Sequence, residues 1–125
     1  MGMIAATHDI AVQAGATWRE TITYKDKTSG NPIDLTGWSA RMQLRERTDG
    51  SIVELDITTA NGRIEVDGPD GVIRIHVLAE DTTPLAKNNA RTNYVYGLEL
   101  FNGDPEDVIS LLTGAVTVYP EVVRG

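Results

Sequence analysis

The sequence predicts an all-β domain, a sandwich or barrel, and three observations carry that expectation. Strand-like runs recur about every ten residues, the spacing of such folds. Twelve glycines and five prolines are scattered through 125 residues as turn punctuation. Twice, alternating apolar and polar residues flank a tight turn, the pattern of an antiparallel hairpin with one buried face.

Residues 9–13 (DIAVQ) read as a short opening strand. In residues 16–25 (ATWRETITYK), Trp18, Ile22 and Tyr24 share one side with Arg19, Thr21, Thr23 and Lys25 on the other. Glu20 falls on the apolar side, which puts it near an open end of the fold or at a register-resetting bulge. Residues 26–37 form a long connection with Asn-Pro and Thr-Gly punctuation.

From Trp38 the chain alternates again, with Ala40, Met42 and Leu44 on one face and Arg41, Gln43, Arg45 and Arg47 on the other. Thr48-Asp49-Gly50-Ser51 is an Asp-Gly turn, and a two-residue loop there sets Leu44 against Leu55 and Met42 against Ile57 inside. Outside, it sets Arg45 against Glu54 and Gln43 against Asp56, so the arginine row has acidic neighbours. Around Asp67-Gly68-Pro69-Asp70-Gly71, a four-residue loop sets Ile64 against Ile75 and Val66 against Ile73. Glu65 then faces Arg74, and Arg63 faces His76. Both hairpins give an apolar inner face and a charge-matched outer one, which favours a solvated sheet face over an anion-binding row.

Residues 79–87 (AEDTTPLAK) break the alternation, and their acidic start and Pro84 suggest one helical turn across an end of the fold. Tyr94, Tyr96, Leu98 and Leu100 line one side of the next strand. After the Asn102–Pro105 loop, residues 107–118 return. Gly114 there implies a bulge or a close backbone approach, and Leu111-Leu112 leaves the register open.

Composition narrows the function classes. The formal charge is −7, with 11 Lys plus Arg against 18 Asp plus Glu, so the chain lacks the cationic surplus that drives phosphate-backbone binding. With no cysteine, thiolate nucleophiles, Cys-based zinc sites and disulfides are excluded. No apolar run reaches the roughly 18 residues of a membrane span, and no basic-then-apolar leader is visible. The expected partners therefore include neither nucleic acid nor membrane.

Site chemistry is sparse. His8 falls in the N-terminal lead, where chains are commonly mobile, and His76 on an outward face. Neither stands at a nucleophile-elbow spacing, and no glycine-rich phosphate loop occurs. The Asp104/Glu106/Asp107 cluster is the best calcium candidate, but its setting beside Gly103 and Pro105 also suits a loop whose carboxylates cap backbone donors. Trp18, Trp38, Tyr24, Tyr94 and Tyr96 could stack on sugars, as in a carbohydrate-binding module, yet their parities assign them to the interior or its rim. No catalytic residue, cofactor or metal is assigned, and the chain reads as a non-enzyme.

The stretches "TWRETITYKD", "GNPIDLTG", "ARMQLR", "GVIRIHVLAEDT", "YVYGLEL" and "LLTGAVTVYPEV", in this order and spacing, resemble a family of tailed bacteriophages and prophages. Its members are small all-β proteins similar to the N-terminal domain of phage baseplate upper proteins. The resemblance spans about residues 9–124, and "AKNNARTNYVYG" departs from it where relatives have a shorter, glycine-containing lead. It implies an immunoglobulin-like antiparallel β-sandwich of about eight strands with one short helical turn. The domain would be single over residues 1–125, with its core at 9–118 and a C-terminal tail at 119–125. The implied role is a virion structural protein, an adaptor or accessory subunit of the tail, baseplate or neck, made in the bacterial host cytoplasm. It would dock other virion proteins and homo-oligomerise in the particle, with a capsid decoration protein or a glycan-binding module as alternatives. The expected partner-binding residues lie on three surfaces: the loop with Asn88, Asn89 and Arg91; the loop with Asp104, Glu106 and Asp107; and the tail with Tyr119, Glu121 and Arg124.

Overall fold

Two hairpins fix the inner faces of two sheets. In the computed structural model, which describes residues 6–103 and 106–123, Ser39–Arg45 (β4) pairs with Leu55–Thr58 (β5). Leu44 stands against Leu55 and Met42 against Ile57, as the sequence predicts. Ile64–Asp67 (β6) pairs with Val72–Val77 (β7), and Ile64 opposes Ile75 while Val66 opposes Ile73, again as expected. Met42, Leu44, Ile57, Ile73 and Ile75 are all at most 1% exposed, so the two ribbons supply the centre of the core.

The remaining strands complete two layers. Ala6–Thr7 (β1), Ile10–Gln13 (β2), Trp18–Thr23 (β3), Thr92–Asn102 (β8) and Asp107–Tyr119 (β9) join them. The larger sheet runs β1-β9-β8-β4-β5, with β2 also on β9, and the smaller runs β3-β7-β6. Between β7 and β8 lie a helical turn, Ala79–Thr82 (α1), and two 3₁₀ turns, Thr83–Leu85 and Lys87–Asn89.

This order is that of an immunoglobulin-like sandwich. The trio β3-β7-β6 occupies the B-E-D positions and β4-β8-β9 the C-F-G positions, with β5 added beside C as in variable-type domains. The corner before β8 carries a further mark of the architecture. Buried Tyr94 donates its hydroxyl to the Leu85 carbonyl at 2.6 Å, the tyrosine-corner bond that ties strand F to the preceding loop.

Several expectations are corrected. The sandwich is not wholly antiparallel: β1 and β2 run parallel to β9, pairing Ala6 with Leu112 and Ile10 with Val116. The strands number nine among the described residues, the additional one being the two-residue β1. His8 does not sit in a mobile lead; its N–H donates to Thr113 O at 2.9 Å and its carbonyl accepts the Tyr96 hydroxyl at 2.5 Å. Glu20 sits in mid-strand and marks neither a bulge nor an open end of the sandwich. The β3–β7 register runs unbroken, and half-buried Glu20 lies 3.9 Å from His8 Nε2.

Gly114 marks the close approach anticipated for it. It faces His8 so tightly that any Cβ would overlap the His8 carbonyl. The Leu111-Leu112 ambiguity resolves as a bulge: the β8–β9 register shifts between Leu98 and Glu99, which lets Leu111 be buried without turning the rest of β9 over.

Burial pushes the Tyr96 phenol up to about 12, with the carboxylates of Asp9 and Glu20 adding to the shift. A folded-state pKa above the unfolded value means that the native state holds its proton more tightly. The associated stability is intact below about pH 10 and is lost as pH rises toward 12. Alkaline denaturation monitored by circular dichroism is expected to show this loss, and Tyr96→Phe to flatten the slope above pH 10. The same variant should cost about 1 kcal/mol at neutral pH through the missing bond to His8.

Candidate functional site

The clearest built surface is the end of the sandwich where β8 begins and β9 finishes. Lys87 anchors it. Its ammonium donates to Glu46 Oε1 at 2.6 Å and Glu54 Oε1 at 2.9 Å, joining the helical connection to the β4–β5 loop. The hydrogen bonds to Glu46 and Glu54 raise the lysine's pKa, and the lysine holds Glu46 below its ordinary value. Glu46 is exposed and Lys87 and Glu54 are half-buried, and water screens the bridge to a modest contribution.

The next two residues, Asn88 and Asn89, adopt left-handed backbone angles, φ 57° and 50°. Asparagine visits this region more readily than most side chains because its amide can bond locally. The turn aims the Asn89 amide at the tail. Asn89 Nδ2 donates to Glu121 O at 3.2 Å, and Glu121 N–H donates to Asn89 Oδ1 at 2.8 Å. Gln13 Nε2 donates to Pro120 O at 2.7 Å, and the Glu121 carboxylate lies against Gly15, where a Cβ would collide with it. The tail after β9 is thereby held in place, with Tyr119 42%, Val122 86% and Val123 87% exposed. Beneath, fully buried Thr82 accepts from Gly15 N–H at 3.1 Å and donates to Ala16 O at 2.9 Å, fixing the β2–β3 turn.

The proposed partner residues therefore separate into two groups. Asn88, Asn89, Arg91, Tyr119 and Glu121 gather at this end, and Asn89 and Glu121 bond to each other. Glu106 and Asp107 lie at the opposite end, beside the β8–β9 turn. Asp104 and Arg124 lie outside the described residues. Glu106 accepts from Arg41 Nη2 at 3.4 Å, which uses one of the carboxylates considered for calcium. Among the described residues, no group of three or more His, Asp or Glu side chains is arranged to hold a metal ion.

The arginine row is only partly charge-matched, and by other partners than the hairpin predicts. Arg41 donates to Glu99 Oε1 at 2.7 Å and lies 4.4 Å from the Phe101 ring centroid, and the Glu99 bond raises its pKa. Arg45 does not meet Glu54. Its guanidinium donates to Gly50 O and Gln43 Oε1, both at 2.8 Å, while Glu54 is taken by Lys87. The pairing fails because ladder pairing stops at Leu44–Leu55 and the following loop closes on an Arg47–Gly50 turn. In the second hairpin Arg74 meets Glu65 at 3.1 Å as expected, whereas Arg63 reaches past His76 to Asp81 at 3.2 Å.

The aromatic residues line no sugar platform. Trp18, Tyr94 and Tyr96 are at most 5% exposed, and Tyr24 and Trp38 pack half-buried against the core. Sequence reasoning missed Lys87, Gln13 and Gly15 as builders of the tail end. Their partners lie 33 or more positions away, and no local pattern announces them.

No family model matches the chain, and no curated protein does. Among similar solved structures is one described as parallel homodimers of the extracellular domains of the voltage-gated sodium channel β4 subunit, which explain that protein's role in cell–cell adhesion. It is 11% identical over 98% of both chains with a TM-score of 0.39, too distant to bear on the function of this chain.

The tail clamp is testable apart from the fold. Asn89→Gly keeps a residue at ease with positive φ while deleting the amide. Hydrogen exchange should then show the Glu121 amide losing protection about tenfold or more. Global stability in urea should change by no more than about 1 kcal/mol, as expected for exposed bonds.

Proposed function

We propose that this chain is a structural protein of a tailed-bacteriophage particle, an adaptor or accessory subunit of the tail, baseplate or neck. It acts by docking to other virion proteins, in several copies, and carries no chemistry of its own. The observation that best supports this reading is the tail. Val122 and Val123 stand almost fully exposed on a segment held by Asn89, Gln13 and the Gly15 turn. A free apolar tail would collapse or fluctuate, whereas one held from three sides is presented to a partner at low ordering cost. Repetition around a particle axis then turns modest contacts into a stable assembly. The order and spacing of strand and turn motifs, which resemble the phage family, point to the particle concerned.

Purified virions provide the test. Mass spectrometry is expected to find the chain in intact particles, and electron microscopy to locate its density in the tail, baseplate or neck. The double variant Val122→Asp/Val123→Asp should fold with an unchanged melting temperature and fall at least about tenfold in particle occupancy. Absence of the wild-type chain from intact particles would end the proposal.

A further inference from the structure

A row of backbone groups without partners at a sheet edge templates a further strand. On β5, the outward edge is occupied by the chain itself. Asp56 O accepts from Asn61 Nδ2 and Arg63 Nη1, each at 2.8 Å, and Thr58 N–H donates to Asn61 Oδ1 at 3.0 Å. On β2, Gln13 O is taken by Ala16 N–H at 3.2 Å. Beside β6, Gly68 O is taken by Leu35 N–H at 2.6 Å.

The remaining edge, β3, differs. Tyr24 N–H donates to Gly71 O in register with the β3–β7 ladder, so the even-numbered residues of β3 bond to β7 and the odd-numbered ones face away. Arg19, Thr21 and Thr23 thus present three successive rungs outward. In an immunoglobulin-type sandwich this flank is where the first strand lies. Here the first strand has gone to β9 instead, leaving the place beside β3 open.

We propose that the β3 edge pairs antiparallel with the β3 edge of a second copy, about a two-fold axis at Thr21, forming one continuous six-stranded sheet across the dimer. Charge and parity select the occupant and the register. Centred on Thr21, all three free rungs are used, with Thr21 opposite Thr21 and Arg19 opposite Thr23. Glu20 then faces Ile22, and Trp18 faces Tyr24, on the inner side. Moving the axis by one residue to Glu20 sets Glu20 against Glu20, and moving it to Ile22 sets Arg19 against Lys25. Centring on Arg19 sets arginine against arginine. Like charges directly opposed disfavour all three alternatives. Only the Thr21-centred register uses the whole edge without such a clash, and an isologous contact of this kind closes as a dimer without propagating. The pairing concerns the purified chain and holds whether or not the particle reading does.

The chain has no cysteine, so single cysteines report the register cleanly. Opposed residues in a hydrogen-bonded antiparallel pair lie about 5.5 Å apart at Cα, within disulfide reach. Under mild oxidation, Thr21→Cys is expected to yield covalent dimer at least about tenfold faster than Thr23→Cys, whose copies lie four residues out of step. An equimolar mixture of Arg19→Cys and Thr23→Cys should cross-link while neither does alone. Sedimentation of the cysteine-free chain should show a concentration-dependent monomer–dimer equilibrium. Thr21→Pro should weaken it about tenfold or more, since its amide points away from β7 and the intrachain ladder is kept. Circular dichroism and melting temperature verify folding of each variant. A chain that stays monomeric throughout, or equal cross-linking of Thr21→Cys and Thr23→Cys, would overturn the proposal.

Discussion

The seating of the first strand along β9 is the constraint on which the rest of the arrangement turns. Parallel pairing gives slanted bonds and demands that the two backbones approach along their length. At its middle the strand breaks, and three separate features mend it. His8 N–H donates to Thr113 O, the Asp9 carboxylate accepts the Ala115 N–H at 3.0 Å, and Tyr96 donates to His8 O. Gly114 supplies the space. A methyl group there would displace the His8 carbonyl, and with it the acceptor of a buried tyrosine. The consequence reaches the other sheet, which is left with three strands and β3 as its open flank.

The legible part of the fold is the part decided by local grammar. Asp67–Gly71 fixes a hairpin register because a short loop leaves few ways to pair its flanks, and the register inferred from Asp49-Gly50 holds although residues 46–54 form a wider loop than the two residues expected; alternation then says which residues are buried. Tyr94, Tyr96, Leu98 and Leu100 follow from parity alone. What local grammar cannot carry is a contact made across the chain. Nothing near DIAVQ announces a parallel partner more than a hundred positions on, and nothing near Lys87 announces Glu46 and Glu54. The Arg45–Glu54 expectation failed for a related reason. Opposed positions extrapolated past the last ladder pair assume that strand geometry continues, and here a wide loop intervenes. At the candidate site, the sequence placed Asn89 and Glu121 on separate surfaces, and the fold joins them by two hydrogen bonds.

The treatment of the edges connects fold to role. A small sandwich has open flanks, and an unguarded flank invites indiscriminate pairing. The loop after β5 folds back to occupy its edge with Asn61 and Arg63, and neighbouring turns consume the ends of β2 and β6. Such selective covering restricts where another chain can add. It leaves β3, where inward Glu20 and outward Arg19 penalise most registers while the two threonines accept one. The tail lies at an end of the sandwich, whereas β3 lies along a flank. A contact at either therefore leaves the other available. A subunit that can use both at once has what a repeating assembly requires, one surface for its own kind and another for a neighbour of a different kind.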